Sequence, residues 1–429
     1  MIKNLVFVFL LLASFAISAQ RTSSSPYSFF GIGEEFTPNT IEQSAMGGIG
    51  VAFSHYKYLN FLNPAAYADL RYTTYSFGIL NSNLTLKNGA TKQTGNTTSL
   101  SYFALAFPIG KKMGASVGLQ PLSSIGYSLN NSITDSNGDI TRLTSFTGSG
   151  GVSRVYLSFG LKLTKEITFG LEASSSFGNV ENSVSEQKAN VSLASKYNET
   201  LKVRGGSLRL GTQFNKQLKN ETTISAGATV KLGHDLRVTG NEYLYSLTFT
   251  SDRSEISRDT ISQTTITGRY NLPVKTTLGF GMGKFDKWYV GLEYEGQAAI
   301  GTSGFLSTSN AAFRYGDSNR FSLGGFYIPK INSISSYFDR ITYRAGLRFE
   351  KTGLLINGSG SNANFTEVDD FGMSFGLGIP LKQLSTLNMG FEFGKRGTTS
   401  NNLIQENYFN FRLGLSLTDI NWFQKRKID

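Results

Sequence analysis

From Tyr72 onward, apolar and small-or-polar residues alternate along the chain with a period of two. Phe371, Met373, Phe375, Leu377 and Ile379 fall on one face of such a stretch, and Gly372, Ser374, Gly376 and Gly378 fall on the other. Trp288, Val290, Leu292 and Tyr294 oppose Tyr289, Gly291, Glu293 and Glu295. Phe409, Phe411, Leu413, Leu415 and Leu417 oppose Asn410, Arg412, Gly414 and Ser416, and the same alternation runs through 155–163, 167–177, 224–232, 274–282 and 341–349. Side chains of a β-strand point to opposite faces in turn, so each stretch is a strand with one apolar face and one polar face. The pattern predicts strands near 72–84, 98–108, 113–130, 151–164, 166–181, 203–215, 221–238, 273–283, 287–297, 318–328, 341–353, 369–380, 386–396 and 404–417.

Such strands build either a soluble sandwich or barrel, apolar face inward, or a membrane barrel, apolar face outward. Two features favour the membrane barrel. The stretches run for about 10–16 residues, whereas strands of soluble proteins average about 5–6. Their polar faces mix Gly and Ser with isolated charges such as Arg154, Glu172, Arg209, Glu293, Arg348 and Glu392, which suits a crowded or watery lumen. Alternate connections are short (PIGKKMG, TKE, NKQLKN, GKFDK, PLKQLS), and the others, at 85–97, 131–150, 182–202, 239–272, 298–317 and 354–368, are longer and polar. Short periplasmic turns and long outer loops are the pattern of outer-membrane barrels. The fold expected is all-β: a transmembrane antiparallel barrel of about 14 strands. Strand-like pieces in 239–272 (YLYSLTF, TTITGRY) leave sixteen open, and 329–340 is long for a periplasmic turn.

Composition narrows the chemistry. The 429 residues include no Cys and 2 His, which excludes disulfide scaffolds, thiolate metal sites and cysteine nucleophiles and leaves little for a metal or a His-based triad. No catalytic residue, metal or cofactor is expected. Charged residues make up only 17% of the chain. The net charge of +11 is spread along strands and loops, so it marks no nucleic-acid surface. Gly48-Ile49-Gly50 is not a dinucleotide fingerprint, because Phe53 stands where its third glycine would be. Residues 1–19 carry one cation, Lys3, then the apolar run 5–12 and small residues up to Ala19, as a secretory signal peptide does.

Residues 20–70 do not alternate. They are rich in Gly and aromatics, with Phe29, Phe30, Phe53, Phe61 and Leu62 in need of burial, and are expected to form a hatch plugging the lumen. The barrel would then span 71–417. A periplasmic tail, 418–429, would set Trp422 and Phe423 at the interface and Lys425, Arg426 and Lys427 against anionic headgroups. Pro121, inside the third strand, lacks a ladder donor and is followed by Ser123, Ser124 and Gly126. Strand pairing is expected to break there, either as a gate in the wall or as a bulge easing its curvature.

The run Gly47, Gly48 and Gly50, followed by Asn63-Pro64-Ala65 ahead of about fourteen strands, resembles the N-terminal hatch of the FadL/TodX family of hydrocarbon transporters. The resemblance implies passive uptake of hydrophobic small molecules, long-chain fatty acids or aromatic hydrocarbons, across the outer membrane. It implies a hatch around Gly47, Gly48, Gly50, Asn63, Pro64 and Ala65, and a lateral exit at the third strand around Pro121, Ser123, Ser124 and Gly126. The partners would be the lipid bilayer and a hydrophobic ligand. Two alternatives stand beside it: a FadL-like barrel serving as a protein-secretion partner or cargo shuttle, as in the PorV-like branch of type IX secretion, and a general porin.

Overall fold

The structure is a computed structural model that describes residues 24–89, 91–250, 252, 254–307, 312–358 and 365–420. The signal-like stretch 1–19 and the tail residues Trp422, Phe423, Lys425, Arg426 and Lys427 lie outside the described residues. Among the described residues, fourteen antiparallel strands close into one barrel. They are β1 (Thr73–Asn88), β2 (Thr91–Ile109), β3 (Met113–Thr134), β4 (Ile140–Lys162), β5 (Ile167–Lys188) and β6 (Ala194–Gln217). β7 (Thr222–Lys231, His234–Phe249), β8 (Glu255–Leu272, Lys275–Lys284), β9 (Trp288–Gln297, Gly301–Gly304) and β10 (Phe313–Tyr315, Ser318–Tyr327) are each interrupted once. β11 (Thr342–Asn357), β12 (Phe365–Pro380), β13 (Thr386–Arg396) and β14 (Gln405–Asp419) follow, and β14 pairs with β1 from Asp419↔Thr73 to Gln405↔Lys87. Both ends of the barrel chain therefore lie on the side of the short turns. No helix of the described residues is long and apolar enough to cross a membrane; the strands make the crossing.

The apolar face points outward. Leu157, Phe159, Phe280, Leu292 and Phe375 stay 40–46% exposed, whereas the polar residues that alternate with them are buried inside: Arg154, Ser158, Glu172, Glu293 and Ser374. That is the arrangement of a wall immersed in lipid.

The expected fourteen strands are present, so the alternative of sixteen falls away, and the reading of the long connections as loops is corrected. The pieces YLYSLTF and TTITGRY do not form an extra hairpin; they are the outer halves of β7 and β8, which pair with each other from Leu272↔His234 to Glu255↔Phe249. The barrel has fourteen strands, not sixteen. The long polar loops are largely strand as well: β3 to β8 continue far beyond the apolar belt, with tight connections such as 135–139 and 189–193. Above the belt the polarity inverts. Leu201, Val203, Leu236, Val238, Ile266 and Tyr270 now face inward and form a buried apolar cluster with Ile125, Tyr127, Val152 and Val180. Lipid no longer demands apolar residues on the outer face, so the sheet buries them as a soluble protein does. The connection 328–341 stays long and holds a short helical turn, Phe338–Arg340.

The wall is not continuously paired. The β2–β3 ladder runs from Ile109↔Met113 to Phe103↔Leu119 and ends there. Beyond that point β2 pairs onward with β1, and β3 pairs with β4 as far as Thr134↔Ile140, so the two strands part.

Candidate functional site

Residues 24–70 are held together by caps and tight turns. Thr40 and Gln43 form a capping box on the one-turn helix Ile41–Ser44: Gln43 N donates to Thr40 Oγ1 at 3.2 Å, and Thr40 N donates to Gln43 Oε1 at 3.0 Å. Gly47 and Gly48 follow at φ of 71° and 83°, a left-handed bend that a side chain would strain. Asn63 caps the 3-10 helix Pro64–Asp69. Its Oδ1 accepts from Ala65 N at 3.0 Å, and its Nδ2 donates to Val51 O at 2.8 Å and to Thr212 O, on β6, at 3.0 Å. Pro64 takes the first helical position, where its missing N–H leaves nothing unpaired. Asn63-Pro64-Ala65 thus works as one unit: cap, helix start and tie to the barrel.

The segment touches inward-facing groups on every side of the ring. Gly47 N donates to Ser374 Oγ of β12 at 2.9 Å. Gly50 N and Val51 N both donate to Glu293 Oε2 of β9, at 2.9 and 2.8 Å. Glu42 Oε1 accepts from Asn388 of β13 at 2.7 Å and from Ser416 of β14 at 3.1 Å. Asp69 pairs with Lys162 of β4, and Arg209 of β6 donates to Phe61 O at 2.7 Å. Asn60 organises the interior: its Nδ2 donates to Gly50 O and Phe53 O, both at 2.7 Å, while its Oδ1 accepts from Leu62 N and Asn63 N.

A row of inward glycines makes room for this. Gly114, Gly160, Gly170 and Gly211 are successive cross-strand partners on β3 to β6. A Cβ at Gly170 would collide with the backbone of Pro64 and Ala65, and one at Gly211 with Asn63 Oδ1. Farther round, Gly227 meets Val51 and Gly346 meets Met46 and Gly47. Sequence reasoning found Gly47, Gly48, Gly50, Asn63, Pro64 and Ala65. It read Glu293 only as a lumen charge, and missed Asn60 and the barrel glycines, whose signal is one inward glycine per strand at a matching height.

At the parting of β2 and β3 the same segment lines the opening. Glu34–Glu35 pairs antiparallel with the unpaired edge of β3, Glu34↔Ser124 and Glu35↔Ser123. Ser123 Oγ donates to Ile32 O at 2.7 Å, Phe36 N to Leu122 O at 2.9 Å, and Gly126 N to Ser28 Oγ at 3.2 Å. Pro121, Ser123, Ser124 and Gly126 therefore sit together on that edge. On the β4 side the ladder only shifts register, between Pro121 and Ser123, and continues. The discontinuity is on the β2 side.

A cavity of about 300 Å³ runs inward from this edge. Leu100, Gln120 and Pro121 line its end at the break, and Phe30, Ile32 and Phe36 line the segment side. An ionic cluster closes the far end. Arg348 donates to Glu350 at 3.0 Å, to Glu392 at 3.1 Å and to Tyr408 Oη at 2.9 Å. Arg396 bridges Glu34 at 2.6 Å and Asp370 at 3.0 Å, and Arg320 reaches Glu295 at 3.3 Å and Thr37 Oγ1 at 2.7 Å. Charges at such depth are tolerated because each has counter-charges and hydrogen bonds.

On the short-turn side, His55 is buried between Tyr56, Tyr58 and Phe285, with Nε2 3.3 Å from Asp286 Oδ1. Burial lowers its pKa against the opposing pull of Asp286, so it stays a neutral, packed ring. Burial also pushes the Tyr56 hydroxyl up to about 12. His234 contacts the carbonyl of Leu232.

Comparison with known proteins places this geometry. No curated protein matches the chain by sequence. Among solved structures, the Ralstonia pickettii toluene transporter TbuX is similar over 91% of this chain and 99% of its own, with a TM-score of 0.58 and 16% identity. The Pseudomonas putida toluene transporter TodX is similar over 90% and 99%, with a TM-score of 0.58 and 16% identity. A Pseudomonas aeruginosa FadL homologue is similar over 90% and 98%, with a TM-score of 0.59 and 11% identity. At such identities the likeness is one of fold. The family model BamG matches residues 1–429, so the chain, an outer-membrane β-barrel of FadL/TodX-like architecture, belongs to the BamG family.

Proposed function

We propose that this chain is an outer-membrane channel for hydrophobic small molecules, with residues 20–70 as its hatch and the parting of β2 and β3 as a lateral exit into the bilayer. The observation that carries this reading is the cavity that joins the ionic cluster to the edge at Leu100 and Pro121. A molecule held there has a route to lipid that crosses no β2–β3 ladder, only the short pairing of Glu34–Glu35 with Ser123–Ser124. Leu100 and Phe103 beside the opening are 48% and 42% exposed, so the lip is greasy. Structural relatives described as toluene transporters and a monoaromatic hydrocarbon channel agree with the reading. Both ligand classes expected, long-chain fatty acids and aromatic hydrocarbons, suit the apolar end of this cavity. In this reading 1–19 is the export signal, removed from the mature protein, and 418–429 faces the periplasm.

The test is to purify the full-length barrel in mild detergent and identify co-extracted small molecules by mass spectrometry, with Pro121→Ala/Gly126→Val in parallel. One dominant class of fatty acid or hydrocarbon, altered in the variant, is the expected result. An empty barrel that instead brings down a stable set of protein partners would sink the proposal and favour the secretion-partner role.

A further inference from the structure

The outer surface of β6, β7 and β8 carries an arrangement that stability alone does not explain. Arg204 of β6 is the direct cross-strand partner of Arg237 of β7, and Arg237 is the direct partner of Arg269 of β8. All three are exposed, and Lys202 lies two residues above Arg204 on the same face. Like charges directly opposite one another destabilise a sheet, and here they are stacked three abreast. Neighbouring strands lie about 4.8 Å apart, so the three backbone positions span about 10 Å. One carboxylate faces these four cations, Asp235, 3.7 Å from Arg269 and itself held by Asn271 Nδ2 at 2.7 Å. Lys202, Arg204, Asp235, Arg237 and Arg269 together line a surface depression.

Its height on the barrel is fixed by a second, independent feature. Immediately toward the short-turn side on the same outer face come Leu208 and Leu210 of β6, Leu232 of β7, and Val274 and Leu278 of β8, all exposed as lipid-facing residues are. Immediately inside the depression, Leu201, Val203, Leu236, Val238 and Tyr270 are buried in the lumen cluster. β7 and β8 are interrupted at 232–233 and 273–274, the level at which apolar side chains change from the outer to the inner face. The arginine row therefore stands on the membrane-water boundary of the outer leaflet, facing outward. Gly206, on the same face between Arg204 and Leu208, is uncrowded: an added Cβ would meet Ser174 O at 3.7 Å, an ordinary contact.

We propose that Arg204, Arg237 and Arg269, with Lys202, form a binding site for the phosphorylated headgroup of an outer-leaflet glycolipid, whose acyl chains lie along the belt below. Planar guanidinium groups bind phosphate oxygens in bidentate fashion, and a bound phosphorylated headgroup offsets the repulsion between the three arginines. The lipid is the source of the phosphate because the row is seated directly on the apolar belt.

The experiment titrates the full-length protein in non-ionic detergent with diphosphoryl lipid A in mixed micelles, with fully dephosphorylated lipid A and inorganic phosphate as separate arms. Arg204→Gln/Arg237→Gln/Arg269→Gln is expected to weaken binding of the diphosphoryl lipid by about tenfold or more, as loss of charge-assisted hydrogen bonds does. The single variant Arg237→Gln, removing the central member alone, gives a smaller loss and serves if the triple variant does not fold. Folding is read from the shift in gel migration on heating, and the triple variant should unfold no more easily than the parent in lipid-free detergent, since it loses a repulsion. Lys111→Gln/Lys112→Gln, at the turn on the opposite end, should leave affinity within about twofold, because exposed charges a barrel length away are screened. Unchanged affinity in both the triple and the single variant, an equal loss in the Lys111/Lys112 variant, or full displacement of the lipid by equimolar inorganic phosphate would each overturn the site.

Discussion

Asn63 is the residue on which most of the lumen segment converges. Its side chain makes one cap bond to Ala65 N and two donations, to Val51 O and Thr212 O, so it ties helix, segment and barrel wall together. Asn63→Ala removes a cap, worth about 1 kcal/mol, and the tie to Thr212 O, worth about 0.5–1.5 kcal/mol, while Val51 O keeps a donor in Gln213 Nε2 at 2.8 Å. The expected outcome is a barrel that still folds but whose residues 60–70 exchange amide protons far faster than the parent's. Asn63→Asp keeps the cap acceptor but sets a carboxylate oxygen against the two carbonyls, so it should lose at least as much protection as Asn63→Ala; equal protection in all three would show that Asn63 does not hold the segment. Asn63 was legible in the sequence because Asn before Pro-Ala has a local meaning. Asn60 was not, and Glu293 only as a lumen charge, since both act by bonding backbone groups that no side-chain pattern announces.

At the scale of the element, each strand has a belt part and an outer part, and they are legible to different degrees. In the belt, lipid forces apolar residues onto one face, so β5 and β12 could be read almost residue by residue from Ile167 to Phe177 and from Phe371 to Ile379. Above it water meets the outer face, the alternation weakens, and 239–249 and 255–272 read as loop although their ladder bonds continue. The glycines carry a register of their own. Gly170 and Gly211 face the Asn63-Pro64 turn so closely that no side chain fits, whereas a Cβ at Gly206 would make only an ordinary contact with Ser174 O. Gly211→Val should therefore leave the ladder intact, because Val suits a strand, while expelling the turn from its seat at a cost of about 1–3 kcal/mol of overpacking. Limited proteolysis of the folded protein should cut within 40–70 in Gly211→Val and spare Gly206→Val. Equal resistance of the two would show that the glycine row does not seat the segment.

For the molecule as a whole, the question is whether the parting of β2 and β3 is a passage or only a defect in the wall. The end of that ladder at Phe103↔Leu119 could not be read from the sequence, where Pro121 hinted at a disturbance but not at the side on which it lies. Segment and opening are one device in this structure, since Glu34–Glu35 is paired to Ser123–Ser124 and supplies the strand contact that β2 withholds. If molecules leave here, this contact must open. The chain has no cysteine, so a single engineered pair can be placed without competitors. Glu35 and Ser123 are direct antiparallel partners, and such partners have Cα atoms about 4.5–5.5 Å apart, within the range of about 4.4–6.8 Å that a disulfide spans. Glu35→Cys/Ser123→Cys, oxidised, should lower uptake of a labelled long-chain fatty acid by roughly tenfold or more, as expected when the competent conformer is removed from the population. Reductant should restore it, and Glu35→Cys alone should transport normally in either state. Undiminished uptake by the fully cross-linked protein would mean that the segment can stay on β3 throughout transport, and the exit would then have to lie elsewhere in the wall.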